Sequence, residues 1–114
     1  MYTLSKNCSC KDHQVADGKG LCHSKSLATP EQLYQHARVF SQVTVNPGCS
    51  IGYHTHEHET EFYYILQGEA TFNDNGTEVL LHAGDIAATG NGAGHGLENR
   101  SDVPVELIAL IMME

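Results

Sequence analysis

The chain is short of positive charge. Six lysines and arginines stand against fourteen acidic residues among 114, a formal net charge of −8. A phosphate backbone would be repelled rather than gathered, which sets nucleic acid aside as a partner. No apolar run approaches membrane-spanning length, so a membrane is set aside too. The opening MYTLSKNCSCKDHQ lacks the apolar core of a secretory signal, which predicts a cytoplasmic address. The four cysteines fall at spacings that make no disulfide framework, in keeping with a reducing compartment. A chain of this length holds one domain with one modest core.

The scarce positive charge is also unevenly placed. Lys6, Lys11, Lys19 and Lys25 meet only Asp12, Asp17 and Glu31 in the first 35 residues, whereas from His36 onward Arg38 and Arg100 face eleven acids. We read residues 1–35 as a short N-terminal arm and 36–114 as a β-barrel within a single domain. Gly18, Gly20 and little apolar periodicity predict an arm of extended chain wrapped on the barrel or on a neighbouring subunit. Thr29, Pro30 and Gln32 mark a short helix near 30–35, with threonine as cap, proline in the first turn and glutamine completing a capping box. Cys8, Cys10, His13, Cys22 and His23 are soft metal ligands, but Cys-x-Cys followed by x2-His is no structural-zinc spacing. They are read as free thiols and surface histidines.

Beyond Ala37 the pattern becomes one of short strands. Val39, Val43 and Val45 share a face before the Pro47-Gly48 turn. Further strands are expected over 50–55, 61–67, 70–73, 77–82, 86–89, 95–99 and 105–113, with a tight turn at Asp74-Asn75-Gly76. So many short strands with regular turns predict an all-β antiparallel sandwich or barrel. Parity then sorts the faces. If Glu61 points inward, so do Tyr63 and Ile65, while Phe62, Tyr64 and Leu66 face out. Likewise Leu107, Ala109 and Ile111 point in, and Ile108, Leu110 and Met112 face out. This outer apolar set calls for a cover, which predicts a homodimer.

The stretch Gly48 to Gly68, GCSIGYHTHEHETEFYYILQG, carries the chemistry. His54 and His56 alternate on an extended strand and can aim both imidazoles at one point. Glu59 and Thr60 are expected to turn the chain in a hairpin that returns Glu61 beside them. Two imidazoles and a carboxylate in a half-buried place suit a divalent first-row metal. His58 falls on the turn and is expected to face solvent, as is His82; His36 and His23 have no motif around them, and Cys49 reads as a buried thiol. Gly90, Gly92 and Gly94 give the loop before His95 freedom to adopt positive φ.

The spacing Gly48-x5-His54-x-His56-x4-Glu61-x6-Gly68 resembles the first motif of the cupin superfamily at every position. In GDIAATGNGAGHGLEN, Gly84, Gly92, His95 and Asn99 resemble the second, with Gly90 where the family usually has proline. Over roughly the last two thirds of the chain the resemblance is to the small single-domain cupins of bacteria. It implies a double-stranded β-helix, a jelly-roll barrel, in which His54, His56, Glu61 and His95 hold one divalent transition metal: manganese, iron, cobalt, nickel or zinc. Four protein ligands around a six-coordinate ion would leave two neighbouring positions for water, dioxygen or a chelating small molecule. The competing possibility is a buried hydrogen-bonded cluster with no metal.

The resemblance offers oxidation, decarboxylation and isomerisation, and no residue selects among them. Tyr63 is the one phenol placed inward, Arg38 is the arginine able to grip a carboxylate, and Glu57 and Glu59 are the carboxylates nearest a lid. The expected function is a metal-binding cupin enzyme acting on a small polar metabolite, of oxygenase or decarboxylase type. The alternative is a non-catalytic metal-dependent sensor or carrier of a sugar or acid.

Overall fold

The computed structural model describes residues 1–114. Alternation of apolar and polar side chains produces ten strands, β1 Cys10–His13, β2 Cys22–Ser26, β3 Ala37–Val45, β4 Ser50–Thr55, β5 Glu59–Gln67, β6 Glu69–Asp74, β7 Thr77–His82, β8 Ile86–Gly90, β9 Gly94–Glu98 and β10 Val105–Met113. They pair antiparallel in two sheets, one ordered β1-β2-β3-β10-β5-β8 and the other β4-β9-β6-β7. The chain repeatedly crosses from one sheet to the other, and the result is the double-stranded β-helix that the resemblance implied. No helix is long and apolar enough to cross a membrane.

The core fills the gap between the sheets. Val43, Val45, Ile65 and Leu107 of the large sheet meet Ile51, Ala70, Phe72 and Leu97 of the small one. Each such side chain, fully buried, contributes about 1.5–3 kcal/mol relative to exposure. Burial alternates as parity predicts: Glu61, Tyr63 and Ile65 point inward on β5, as do Leu107, Ala109 and Ile111 on β10. Tyr64, Leu66 and Met112 are exposed on the outer face of the large sheet.

Residues 1–35 contribute more than a wrapping. β1 and β2 form a hairpin, and β2 pairs with β3 through Cys22↔Val45, Ser24↔Val43 and Ser26↔Ser41, so the large sheet grows by two strands. Periodicity does not mark them because they are short and mostly polar, and only Cys22 is buried. Between them the chain crosses to the small sheet. The Gly52 N–H donates to the Val15 carbonyl at 3.1 Å and the Ser50 N–H to that of Lys19 at 2.9 Å. Helix α1, Pro30–Leu33, begins with the expected capping box. The Gln32 N–H donates to Thr29 Oγ1 at 3.3 Å, and the Thr29 N–H donates to Gln32 Oε1 at 2.9 Å.

Two expectations need correction. β4 and β5 lie in different sheets, so no hairpin joins them. The reversal falls earlier, with His58 at φ 61°, and Glu59 and Thr60 already belong to β5. Of the three loop glycines only Gly92 has a positive φ, 81°. Gly90, in place of the expected proline, closes β8 opposite Thr60.

The crossing at Gly52 leaves no room for a side chain, since a Cβ there would overlap the Ala16 carbonyl oxygen. Both partners are backbone and cannot swing aside. Gly52→Ala is therefore expected to destabilise the chain by about 1–3 kcal/mol, read as a lowered denaturant midpoint with unchanged slope.

Candidate metal centre

Strand register brings the ligands together from both sheets. His54 on β4 lies directly opposite His95 on β9, with their Nε2 atoms 3.2 Å apart. His56, one residue past β4, places its Nε2 3.1 Å from that of His95. From β5 across the barrel, Glu61 Oε1 sits 2.9 Å from His95 Nε2, 3.0 Å from His56 Nε2 and 3.8 Å from His54 Nε2. These four ligand atoms lie within 4.8 Å of one another. His58 is outside the group: its Nδ1 meets Glu114 Oε2 at 2.8 Å on the surface.

The hydrogen bonds fix what the nitrogens present. His54 Nδ1 donates to the Gly52 carbonyl at 2.7 Å, and His56 Nδ1 donates to Glu59 Oε2. A carbonyl and a carboxylate can only accept, so both rings carry their proton on Nδ1 and turn an Nε2 lone pair toward the centre. Two lone pairs and the Glu61 oxygen therefore converge on His95 Nε2. The other nitrogen of His95, Nδ1, is buried without a protein partner. Mutually facing acceptors at about 3 Å repel unless a cation or a shared proton sits among them. Three imidazole nitrogens and one carboxylate oxygen form a donor set that suits a divalent first-row ion, and His54, His56, Glu61 and His95 are positioned for metal binding.

The electrostatics reflect this crowding. Burial alone would raise the Glu61 carboxyl, but its polar contacts with His54 and His95 outweigh it and hold it at about 2. His54 is raised, first by its bond to Glu61. His95 is lowered, first by burial. Tyr63 stacks on His95, ring centroids 4.7 Å apart and 13° from parallel. Its phenol is pushed well up by burial and then by the Glu61 charge, so it stays protonated.

Sequence reasoning missed the support behind His56. Arg38 Nε and Nη2 each donate at 2.8 Å to the two oxygens of Glu59, and Glu59 Oε2 also accepts from His56. Arg38 first, with His56 helping, holds the Glu59 carboxyl at about 2 against burial. Glu59 is thereby clamped rather than carried on a lid. Arg38 and Tyr63 both line a cavity of about 790 Å³ that reaches His54, His56 and Glu61 of the group. No motif marks this clamp, because Arg38 on β3 and Glu59 on β5 meet only through the pairing of both strands with β10.

The arm's soft ligands do not converge. His13 Nε2 meets Ser24 Oγ at 3.0 Å, His23 meets Asp12 at 2.7 Å, and the thiols of Cys8 and Cys10 face backbone carbonyls. All four cysteines are free. Burial, followed by the neighbouring Cys49, pushes the Cys22 thiol to about 11.

This double-stranded β-helix is a jelly roll that directs three histidines and one glutamate, positioned for metal binding, at a single interior point. The family model for the cupin domain, Cupin_2, matches residues 41–111, and the chain belongs to the cupin family. An oxalate-binding protein of Thermotoga maritima is 41% identical over 96 residues, 84% of this chain and 79% of its own length. A crystal structure described as a predicted oxalate decarboxylase of Thermotoga maritima aligns with a TM-score of 0.94 at 36% identity, covering 100% of both chains. KdgF from Halomonas sp. shares the fold at 15% identity, with a TM-score of 0.75 over 100% of this chain and 96% of its own.

His56→Ala is expected to abolish tight metal binding and His58→Ala to leave it unchanged, measured by metal content after dialysis. Glu59→Gln, which breaks the clamp but keeps the ligands, is expected to weaken metal affinity about 10–100-fold, read by competition with a chelator. A carboxylate held below its ordinary value stabilises the fold above that value and loses the contribution as pH falls. The metal-free chain is accordingly expected to lose stability between pH 4.5 and about 2, with a shallower loss in Glu59→Gln, followed by denaturant unfolding at stepped pH.

Proposed function

We propose that the chain binds oxalate and related small chelating acids through a divalent metal held by His54, His56, Glu61 and His95. The observation that carries this reading is the convergence of four candidate ligand atoms, three of them from residues that line an open cavity. A bound dication would supply a positive centre with positions left for a bidentate oxygen ligand. The 41% identical oxalate-binding protein supports oxalate as the reference ligand.

Binding without turnover is favoured by what surrounds the candidate centre. Decarboxylation of oxalate breaks the C–C bond, releases carbon dioxide and leaves an electron pair on the remaining carbon, which must take up a proton to become formate. Glu61 is committed to the centre and Glu59 to Arg38 and His56, so neither carboxyl is free to deliver that proton. The decarboxylase reading is kept alive by Tyr63, whose protonated phenol lies against His95, and by the relative described as a predicted oxalate decarboxylase. An oxygenase has no residue here that favours it. The reading places the protein in the cytoplasm as a homodimer, with the exposed row Tyr64, Leu66, Ile86 and Met112 as the surface a second copy would cover.

The test begins with elemental analysis of protein purified without added ions, where close to one transition metal per chain is expected. Oxalate at about a hundredfold excess over its Kd should then stabilise the metal-loaded chain by about 2.7 kcal/mol, several degrees in Tm, and the effect should vanish after chelation. A metal-loaded chain that oxalate leaves untouched refutes the reading. Formate and carbon dioxide accumulating over many turnovers would replace binding with decarboxylation.

A further inference from the structure

The cavity is far larger than oxalate requires. At about 790 Å³ it has the size that elsewhere holds ligands of drug dimensions, whereas oxalate has six heavy atoms. Its extra length lies over the inner face of the large sheet, where one row of side chains leads away from the metal centre. Register aligns Tyr63 with Ala109, Ala109 with Ser41 and Ser41 with Ser26. The Ser26 N–H donates to the Ser9 carbonyl at 2.8 Å, which carries the row to the edge of the sheet. Side chains in register across antiparallel strands share a face, and buried Tyr63 and Ala109 fix that face as the inner one.

Ser9, Ser26 and Ser41 all border the cavity. Their hydroxyls are not spent on the protein, whereas the neighbouring Ser24 Oγ is engaged by His13 at 3.0 Å. Val43 flanks the row on one side, and Val39 and Ile111 on the other, so hydroxyl and apolar strips run side by side along one wall. Lys11, in register with Ser24, adds a cation that no carboxylate pairs. Strands stand about 4.8 Å apart, so Ser41 lies roughly 10 Å along the sheet from Tyr63, beyond the reach of oxalate.

We propose that Ser26 and Ser41 form a subsite for the hydroxylated body of a sugar acid whose carboxylate end chelates the metal. The inference rests on acid binding at the metal centre and extends it. Alternating hydroxyl and apolar strips match the O–H edges and C–H faces of a polyol chain, and the Lys11 charge favours an anion in an otherwise acidic protein. The ligand class is an aldonic or uronic acid of hexose size or longer.

The test uses the metal-loaded chain and titrates, by calorimetry, glycolate, glycerate, gluconate and lactobionate. These four share an α-hydroxy-acid head and differ in hydroxylated length. Affinity is expected to rise tenfold or more along the series in the unaltered protein. Ser26→Ala and Ser41→Ala together are expected to erase most of that gain while leaving metal content, oxalate affinity and glycolate affinity unchanged. No rise along the series, or a rise that survives both substitutions, overturns the subsite. Oxalate serves as the control for the underlying reading: if it binds and the series shows no gain, the subsite alone fails, and if neither oxalate nor glycolate binds, the metal-centre reading fails first.

Discussion

Three imidazole nitrogens and one carboxylate oxygen, gathered within 4.8 Å of one another inside a β-barrel, are the constraint on which the structure depends. Burying polar groups face to face is costly unless a cation or a shared proton joins them. The chain nevertheless holds them there firmly. His54 and His95 are opposed by sheet register, His56 is clamped through Glu59 to Arg38, and Glu61 projects from the opposite sheet. Such effort spent on mutually repelling atoms makes sense when a cation joins them, because metal affinity then becomes folding free energy.

The same constraint explains why the ligands come from two sheets. A hairpin would set the histidines and Glu61 side by side on one sheet, at the strand spacing, and the ion would lie on a surface. With β4 and β9 in the small sheet and β5 in the large one, the ligands surround the point from facing walls. The hydrophobic layer of Ile65, Phe72, Leu97 and Leu107 fills the rest of the gap. The core and the centre are thus two parts of one interlayer space, divided by the stacked pair of Tyr63 and His95.

The sequence was most legible where a local rule acts alone. β4, β7 and β10 have the bounds that alternation and turn residues predict, the α1 cap is the expected one, and the faces of β5 and β10 follow parity from Glu61 outward. The four residues that the fold brings to one point were legible through motif spacing. What escaped depends on who sits beside whom. The Arg38–Glu59–His56 chain joins residues 21 and 3 positions apart across an intervening strand that only the full topology supplies. The β1–β2 hairpin escaped for a different reason: its side chains lie along an open sheet edge and a cavity mouth, so they need not alternate. The expected hairpin at Glu59 failed because a short loop joins facing sheets as readily as neighbouring strands.

Electrostatics would tie the open cavity to a bound ion. The protein carries a formal net charge of −8, and within the centre Glu59 already neutralises Arg38. Without metal, the centre offers an approaching acid the negative charge of Glu61, and the acid gains no dication to bind. A dication reverses the sign, leaving about one positive charge after Glu61 in a partly buried place where charge is weakly screened. Metal and acid would therefore bind in support of each other, each strengthening the other's hold by the same factor. The acidity of the rest of the molecule, which turns away polyanions, would then sharpen the choice of ligand to small acids able to reach the ion itself.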